Sequence, residues 1–341
     1  MRAMVNTSYG SPDALRYEEI DKPTPGEGEV LVKIHAASVN PLDVAEMKGI
    51  PLVFRMIFGV HAPTAAEPAH PGVDLAGVVE AVGSGVKELK PGDTVFGLCR
   101  GSEKAGGAKA WVHRWGAYAE YACVGEMALA RKPENISFEQ AAALPIAAIT
   151  ALQGLRDVGQ MKPGKQVLVH GAAGGVGTFA VQIAKVLGGE VTGVTSTENL
   201  ELVHSLGADH VVDYTQTNFT TAGEHYDLIL DCHAKHGLLS LRRALKRGGI
   251  YVGIGASKQA GVGSILGGLL GMLILSRLGS KKLRTFLAKP KKADLDTLAK
   301  LVADGKVTPV IDRCFSFNEI RDAMRYQQEG HPRGKVVISI A

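Results

Sequence analysis

Four cysteines, Cys99, Cys123, Cys232 and Cys314, lie far apart in a chain of 341 residues. They form no disulfide framework, which excludes a stapled secreted scaffold and predicts a reducing setting, the cytoplasm. Net charge is small as well. A formal balance of +4 is too mild to argue for nucleic acid as a partner. No apolar run is long enough to span a bilayer. The most apolar stretch, 261–279, has a core of Ile265–Leu275 that is too short and too rich in glycine. Its basic flank, Lys281 to Lys292, leaves three readings open for residues 261–292: a subunit interface, a substrate mouth, or weak contact with a membrane surface. The opening residues, MRAMVNTSYGSPDALRYEEI, have neither the apolar core of a secretory signal nor the Arg/Ser richness of a transit peptide. Zinc-type spacings are missing too. The cluster DCHAKHG, with Asp231, Cys232, His233 and His236, does not match them and reads as the end of a sheet strand and the cap of a following helix.

What is present is 45% hydrophobic and 21% charged, an ordinary globular composition with enough chain for two domains. One stretch carries most of the local information: QVLVHGAAGGVGTFAVQIAK, Gln166–Lys185. It reads as a buried strand, a tight turn and a helix. The turn spells A-x-G-x-x-G from Ala172 through Gly174 to Gly177, with Ala173, Gly175 and Val176 between. Gly174 lets backbone approach a pyrophosphate, Gly177 lets the helix pack against the strand, and the helix N-terminus favours an anion. Ala172 departs from the usual first glycine.

The chain has two textures. Up to about residue 125, short apolar runs such as EVLVKIHAASVN and GDTVFGL are broken by Gly and Pro, as in a small antiparallel barrel. From about 138, strands at EVTGVT, HVVDY, YDLILD and GIYVGIG alternate with helical patterns, the signature of a doubly wound parallel sheet. The final fifty residues (two helices and the strand GKVVISI) are expected to return to the first domain. The predicted division is 1–125 with 290–341, and 126–289.

HAASVNPLDVAEMKG, HPGVDLAGVVEAVGSGVKELKPGDTVFG, GAYAEYACV, AALPIAAITAL, HGAAGGVGTFAVQIAK, SLGADHVVDY and GKVVISI follow one another in this order. Together they resemble the medium-chain dehydrogenase/reductase superfamily, in its zinc-free quinone oxidoreductase (zeta-crystallin-like) branch. The resemblance covers nearly the whole chain apart from about 49–69 and 258–282. It implies an α/β protein with a GroES-like β-barrel substrate domain, a Rossmann doubly wound parallel-sheet coenzyme domain, a cleft for the nicotinamide between them, and a homodimer. The excursion 49–69 is expected to overhang that cleft.

At the three positions where zinc-containing relatives carry catalytic ligands, this chain has Asn40, Val73 (followed by Asp74) and Ile146, and only Cys99 lies where a structural zinc needs four cysteines. No zinc is therefore expected. Without a Lewis acid for an alkoxide, the expected reaction is hydride delivery to a quinone or an α,β-unsaturated carbonyl. Asn40 is the candidate for orienting the nicotinamide or the carbonyl, with Asp43 supporting its loop. Thr150 matches the family threonine near the nicotinamide. A tyrosine that some relatives carry shortly after the asparagine is replaced by Ala45; Tyr118 and Tyr121 are expected to be barrel packing.

NAD binders usually end their second strand with an acid for the ribose 2′-OH. Here Thr195 and Ser196 stand at that point, Ser196 and Thr197 can donate to a 2′-phosphate, and Tyr214 matches a residue that reaches the adenosine phosphate. Glu198 and Asn199 replace the usual nearby cation, and Arg333 is the candidate to supply one. NADPH is expected ahead of NADH. Two alternatives stay open: a trans-acting enoyl-thioester reductase, and a non-catalytic NADPH-binding protein.

Overall fold

The computed structural model describes residues 1–49, 62–65, 67–99, 116–223, 225–234, 236–254 and 262–340, with backbone alone at 262–266 and 269. Most of the 49–69 excursion lies outside the described residues. The chain begins with β1 (Arg2–Asn6) and β2 (Leu15–Glu19), an antiparallel pair. It continues through β3 (Glu29–Val39), α1 (Pro41–Lys48), β4 (Asp74–Val82), β5 (Thr94–Leu98), β6 (Tyr121–Gly125), β7 (Leu129–Arg131) and α2 (Phe138–Ala142). β3, β4, β5 and β7 are antiparallel neighbours in that order, while β6 pairs with the first half of β3.

The strand-helix alternation then sets in: α3 (Pro145–Gln153), β8 (Gln166–His170), α4 (Gly175–Val186), β9 (Glu190–Thr195), α5 (Leu200–Ser205) and β10 (His210–Asp213). It goes on with β11 (Tyr226–Asp231), α6 (Leu238–Arg243), β12 (Leu245–Ile254), α7 (Val262–Arg277) and β13 (Lys282–Phe286). The sheet order is β10-β9-β8-β11-β12-β13, every pairing parallel, which is the doubly wound order with its switch point between β8 and β11. β13, in KLRTF, is an edge strand that basic composition hid from sequence reading.

The chain closes with α8 (Lys292–Ala303), β14 (Ile311–Ser316), α9 (Ile320–Glu329) and β15 (Lys335–Ser339). β15 pairs antiparallel with the last residues of β3, from Val336↔Val39 to Ser339↔Ala36, and parallel with β14. β3 is therefore the central strand of its sheet, flanked by β4, β6 and β15, and its apolar side chains are buried accordingly.

The described residues form two compact units: Met1–Ile146 with Pro290–Gly305 and Pro309–Ala341, and Ala147–Lys289 with Lys306–Thr308. The first boundary falls at Ile146, later than the expected 125. The cause is local: β7 completes the sheet of the first unit through β5, and α2 packs on β3 and β4. Lys306–Thr308 joins the second unit because the Gln182 side chain clasps Thr308, accepting from its N–H at 2.8 Å and donating to its C=O at 3.0 Å. Each unit has its own core. Val32, Ile34, Leu75, Tyr118, Leu129, Met324 and Ile338 pack together in the first, and Leu168, Val194, Phe219, Ile229, Leu241 and Tyr251 in the second.

Candidate active-site elements

The predicted nucleotide turn sits at the C-terminal end of β8, beside the switch point. Gly171, one residue before the fingerprint, supplies the left-handed conformation (φ +80°) that the sharp turn requires. Ala172 is fully buried, its Cβ turned toward Gly193 on β9, so an alanine is accommodated where the usual pattern has glycine. A Cβ on Gly177 would lie 2.0 Å from the Gly171 carbonyl oxygen, which makes glycine obligatory there. Gly174 caps α4 with extended backbone. Gly175, Val176 and Gly177 open the helix, where N–H groups and the dipole favour a phosphate. Ala173 lies in the same turn and is also buried. These residues fit a dinucleotide pyrophosphate.

At the adenosine end, Thr195 is buried at the tip of β9, and the Tyr214 N–H donates to its C=O at 3.0 Å. The Tyr214 side chain is exposed. Ser196 accepts from the Asn199 amide at 2.9 Å and keeps its own hydroxyl proton. Thr197 differs from expectation. Its hydroxyl donates to Asp213 Oδ2 at 2.5 Å, so it is not free to donate to a 2′-phosphate. Asp213 also accepts from the Thr215 N–H and hydroxyl, at 2.9 and 2.7 Å. In the parallel ladder Asp213 stands opposite Thr195, so an acid does flank the end of β9, delivered from β10. Arg333 is exposed in the first unit, two residues before β15 opens at Lys335.

At the switch point itself, His170 and Asp231 end neighbouring strands β8 and β11 and face one another in register. His170 Nδ1 lies 2.8 Å from Asp231 Oδ1, both residues are buried, and Tyr251 donates its hydroxyl to Asp231 Oδ2 at 3.1 Å. The N–H groups of His233 and Ala234 donate to Asp231 Oδ1, each at 2.9 Å. Burial pushes the Asp231 carboxyl up, but the His170 contact and the two amides outweigh it and hold the group at about 2. The carboxylate of DCHAKHG thus organises the strand end. Among the described residues, no group of three His, Cys, Asp or Glu is placed to hold a metal ion.

The first unit gathers its polar residues around one carboxylate. Asn40 precedes α1, is buried, and its N–H donates to Asp43 Oδ2 at 2.7 Å. Asn40 Nδ2 donates to Asp74 Oδ2 at 3.0 Å, the Ser38 hydroxyl to the same oxygen at 2.7 Å, and the Ile146 N–H to Asp74 Oδ1 at 3.1 Å. Lys335, from β15, donates to Asn40 Oδ1 and stands 3.6 Å from Asp74 Oδ2. Its ammonium is buried at the centre of the cluster. Burial pushes the Lys335 ammonium down, against the pull of Asp74 and Asp43. Both ends of the Asn40 amide are therefore fixed, with one of its two amide protons directed to Asp74.

Of the three positions expected from zinc-containing relatives, Asn40 and the Ile146 amide both bond to Asp74 and Val73 precedes it, but their side chains do not fit the metal. Val73 is buried and, like Ile146, has no ligand atom, the Asn40 oxygen is taken by Lys335, and an ammonium lies beside the one carboxylate. Sequence reading named Asn40, Asp43 and Asp74 but missed Lys335. Its only signal is a lysine opening an otherwise apolar strand. Tyr118 is fully buried with its hydroxyl 3.4 Å from the Ser38 C=O, and burial pushes its phenol far up, as suits packing rather than proton donation. Tyr121 lies on β6 with the Lys22 ammonium 3.9 Å from its ring centre. Thr150 is buried on α3, in the second unit.

Known proteins bear on both units. Residues 26–134 match the alcohol dehydrogenase GroES-like domain, and residues 206–338 match the model described as zinc-binding dehydrogenase. The chain is 38% identical over 344 residues to the 2-methylene-furan-3-one reductase of Solanum lycopersicum, covering 99% of this chain and 79% of that protein. It is 37% identical over 346 residues to the chloroplastic NADPH-dependent alkenal/one oxidoreductase of Arabidopsis thaliana, with the same coverage of each. The solved quinone oxidoreductase of Coxiella burnetii superposes with a TM-score of 0.81 at 28% identity, covering 100% of this chain and 99% of the other. With a GroES-like unit, a Rossmann unit and relatives of this kind along its length, the chain belongs to the medium-chain dehydrogenase/reductase superfamily, in its quinone oxidoreductase branch.

Proposed function

We propose that this chain is a zinc-independent, NADPH-dependent reductase of quinones and α,β-unsaturated carbonyls. Relatives named for alkenal/one, furanone and quinone reduction support the substrate class, and one named for NADPH dependence supports the coenzyme. The observation that carries the reading is the Asn40 amide, clamped between Lys335 and Asp74 at the spot where other family members hold their metal. Such a site presents a hydrogen-bond donor instead of a Lewis acid. Reduction of an enone needs no more than donors for the developing enolate oxygen, whereas alcohol oxidation needs its alkoxide stabilised.

In this reading the first unit is the substrate domain and the second binds the coenzyme. The turn Ala172–Gly177 would hold the pyrophosphate, and Thr195, Ser196 and Tyr214 would surround the adenosine ribose and its phosphate, with Arg333 as the added cation. NADPH, when bound, supplies the hydride. Asn40 offers its second amide proton to the carbonyl or the nicotinamide amide, Lys335 and Asp74 keep that amide from rotating, and Thr150 positions the nicotinamide. A cytoplasmic homodimer completes the proposal, its assembly to be read by sedimentation velocity.

The test follows NADPH and NADH oxidation by chelator-treated protein with 9,10-phenanthrenequinone, 1,2-naphthoquinone and a short 2-alkenal. Turnover that survives chelation and falls about 10- to 1,000-fold in Asn40→Ala, with NADPH binding retained, is the expected result. A requirement for added zinc would overturn the reading of Asn40, Val73 and Ile146. Tight NADPH binding without turnover would favour a non-catalytic binder.

A further inference from the structure

The second unit carries a surface that the proposed reaction does not use. α7 is apolar on every side, and a helix of that kind is normally covered all round. Met272 and Leu275 pack inward on the core beside Leu283 of β13. The opposite face presents Leu270, Leu273 and Ile274, followed by Leu278, each more than half exposed. At 100° per residue these four side chains and Arg277 share one arc, directly across from Met272 and Leu275. Leu239 of the neighbouring α6 is exposed too, at 59%.

The stretch of sequence that carries this ridge is charged with one sign. From Cys232 to Lys289 the sequence contains eleven Lys or Arg and not one Asp or Glu. Some are engaged elsewhere: Lys246 pairs with Asp227 at 3.1 Å, and Arg284 donates to the Val158 C=O at 2.7 Å. Others frame the ridge. Arg242 donates to the Leu278 C=O, Lys281 to the Arg242 C=O at 2.9 Å, and Arg243, Arg277 and Lys282 are exposed.

We propose that the exposed face of α7, with its flanking arginines and lysines, docks on an anionic lipid bilayer. The apolar residues would enter the boundary between headgroups and acyl chains while the cations meet lipid phosphates. A span is ruled out for α7, because no helix among the described residues is long and apolar enough to cross a membrane. A second copy is the weaker occupant. A two-fold contact sets the same patch against itself and would bring cations together without acids to offset them. The inference stands apart from the proposed reduction, and a bilayer that dissolves quinones or lipid-derived enones would bring acceptor to enzyme.

Vesicle flotation tests it with the full chain, using phosphatidylcholine alone and phosphatidylcholine mixed with phosphatidylglycerol. Binding to the mixed vesicles should be about tenfold or more tighter than to the neutral ones, and should weaken as salt rises. Leu273→Gln/Ile274→Gln and Arg277→Gln/Lys282→Gln should each weaken it about tenfold. NADPH oxidation with a soluble quinone should be unchanged in both, which shows that the variants fold. Absence of binding, or equal binding to both vesicle types, would overturn the proposal. So would a parent that sediments as an oligomer, binds neither vesicle, and becomes monomeric in Leu273→Gln/Ile274→Gln.

Discussion

Lys335 places a positive charge where side chains are usually apolar. It is compensated by Asp74, with which Asn40, Ser38 and the Ile146 amide also bond. Removing only the lysine leaves a buried carboxylate without its cation, so Lys335→Met should cost about 3–5 kcal/mol of stability. Adding Asp74→Asn should return more than half of that loss, because the stranded charge goes with it. Thermal melts of parent, single and double variants check this, and a double variant no more stable than the single would refute it. At the other end of the proposed coenzyme site, Asp213 holds the Thr197 hydroxyl and places a carboxylate beside the end of β9. Asp213→Asn should raise the NADPH-to-NADH ratio of kcat/KM about tenfold, mostly through KM, by lifting repulsion toward a 2′-phosphate. An unchanged ratio would place the 2′-phosphate elsewhere. Asn40 and the glycine turn were legible because their motifs are local. Lys335 was not, because the contact that gives it meaning joins residues 295 apart in sequence.

Glycine-rich turns show how much an element depends on single atoms. Gly177→Ala would drive a Cβ into the Gly171 carbonyl oxygen, 2.0 Å away, whereas at Gly174 the nearest atom is 3.4 Å away. Gly177→Ala should therefore cost about 1–3 kcal/mol or more, and Gly174→Ala should fold normally yet bind NADPH weakly, as melts and fluorescence titration would show. A stable Gly177→Ala would contradict the close approach of α4 to β8. The His170–Asp231 bond joins the two strands that meet at the switch point. Because the folded state holds Asp231 at about 2, below its ordinary 3.8, the ionised form stabilises the fold. That contribution, on the order of 2 kcal/mol, is present above about pH 4 and is lost as pH falls toward 2. Asp231→Asn should be less stable than the parent at pH 7, with the gap narrowing below pH 4. A gap that stays constant with pH would deny the linkage. The β8-α4-β9 unit could be read in advance from its periodicity. β13 could not, since KLRTF places charge on the alternate positions of a strand lying at the sheet edge.

Two textures in the sequence correctly announced two folded units, and the errors lay at the seam. A boundary drawn at 125, where the short strands of the first texture give out, cuts before β7, which answers to β5, a pairing that no local pattern encodes. The first unit is also discontinuous: its early strands and its last strand are separated by the whole parallel sheet. This has a consequence for how the protein is made. A chain emerging from the ribosome can complete the parallel sheet while β3 still waits for β15, because domains fold as units during synthesis. Until β15 arrives, the edge of β3 that runs from Ala36 to Val39 has no strand to pair with, and Asn40 and Asp74 have no ammonium between them. Nascent chains stalled before Lys335 should thus show protease-resistant peptides from β8 to β12 and rapid cleavage between β3 and β7. Equal protection of both regions would mean that the barrel closes without its final strand. The chemistry-bearing corner of the first unit is, on this account, the last part of the molecule to be born.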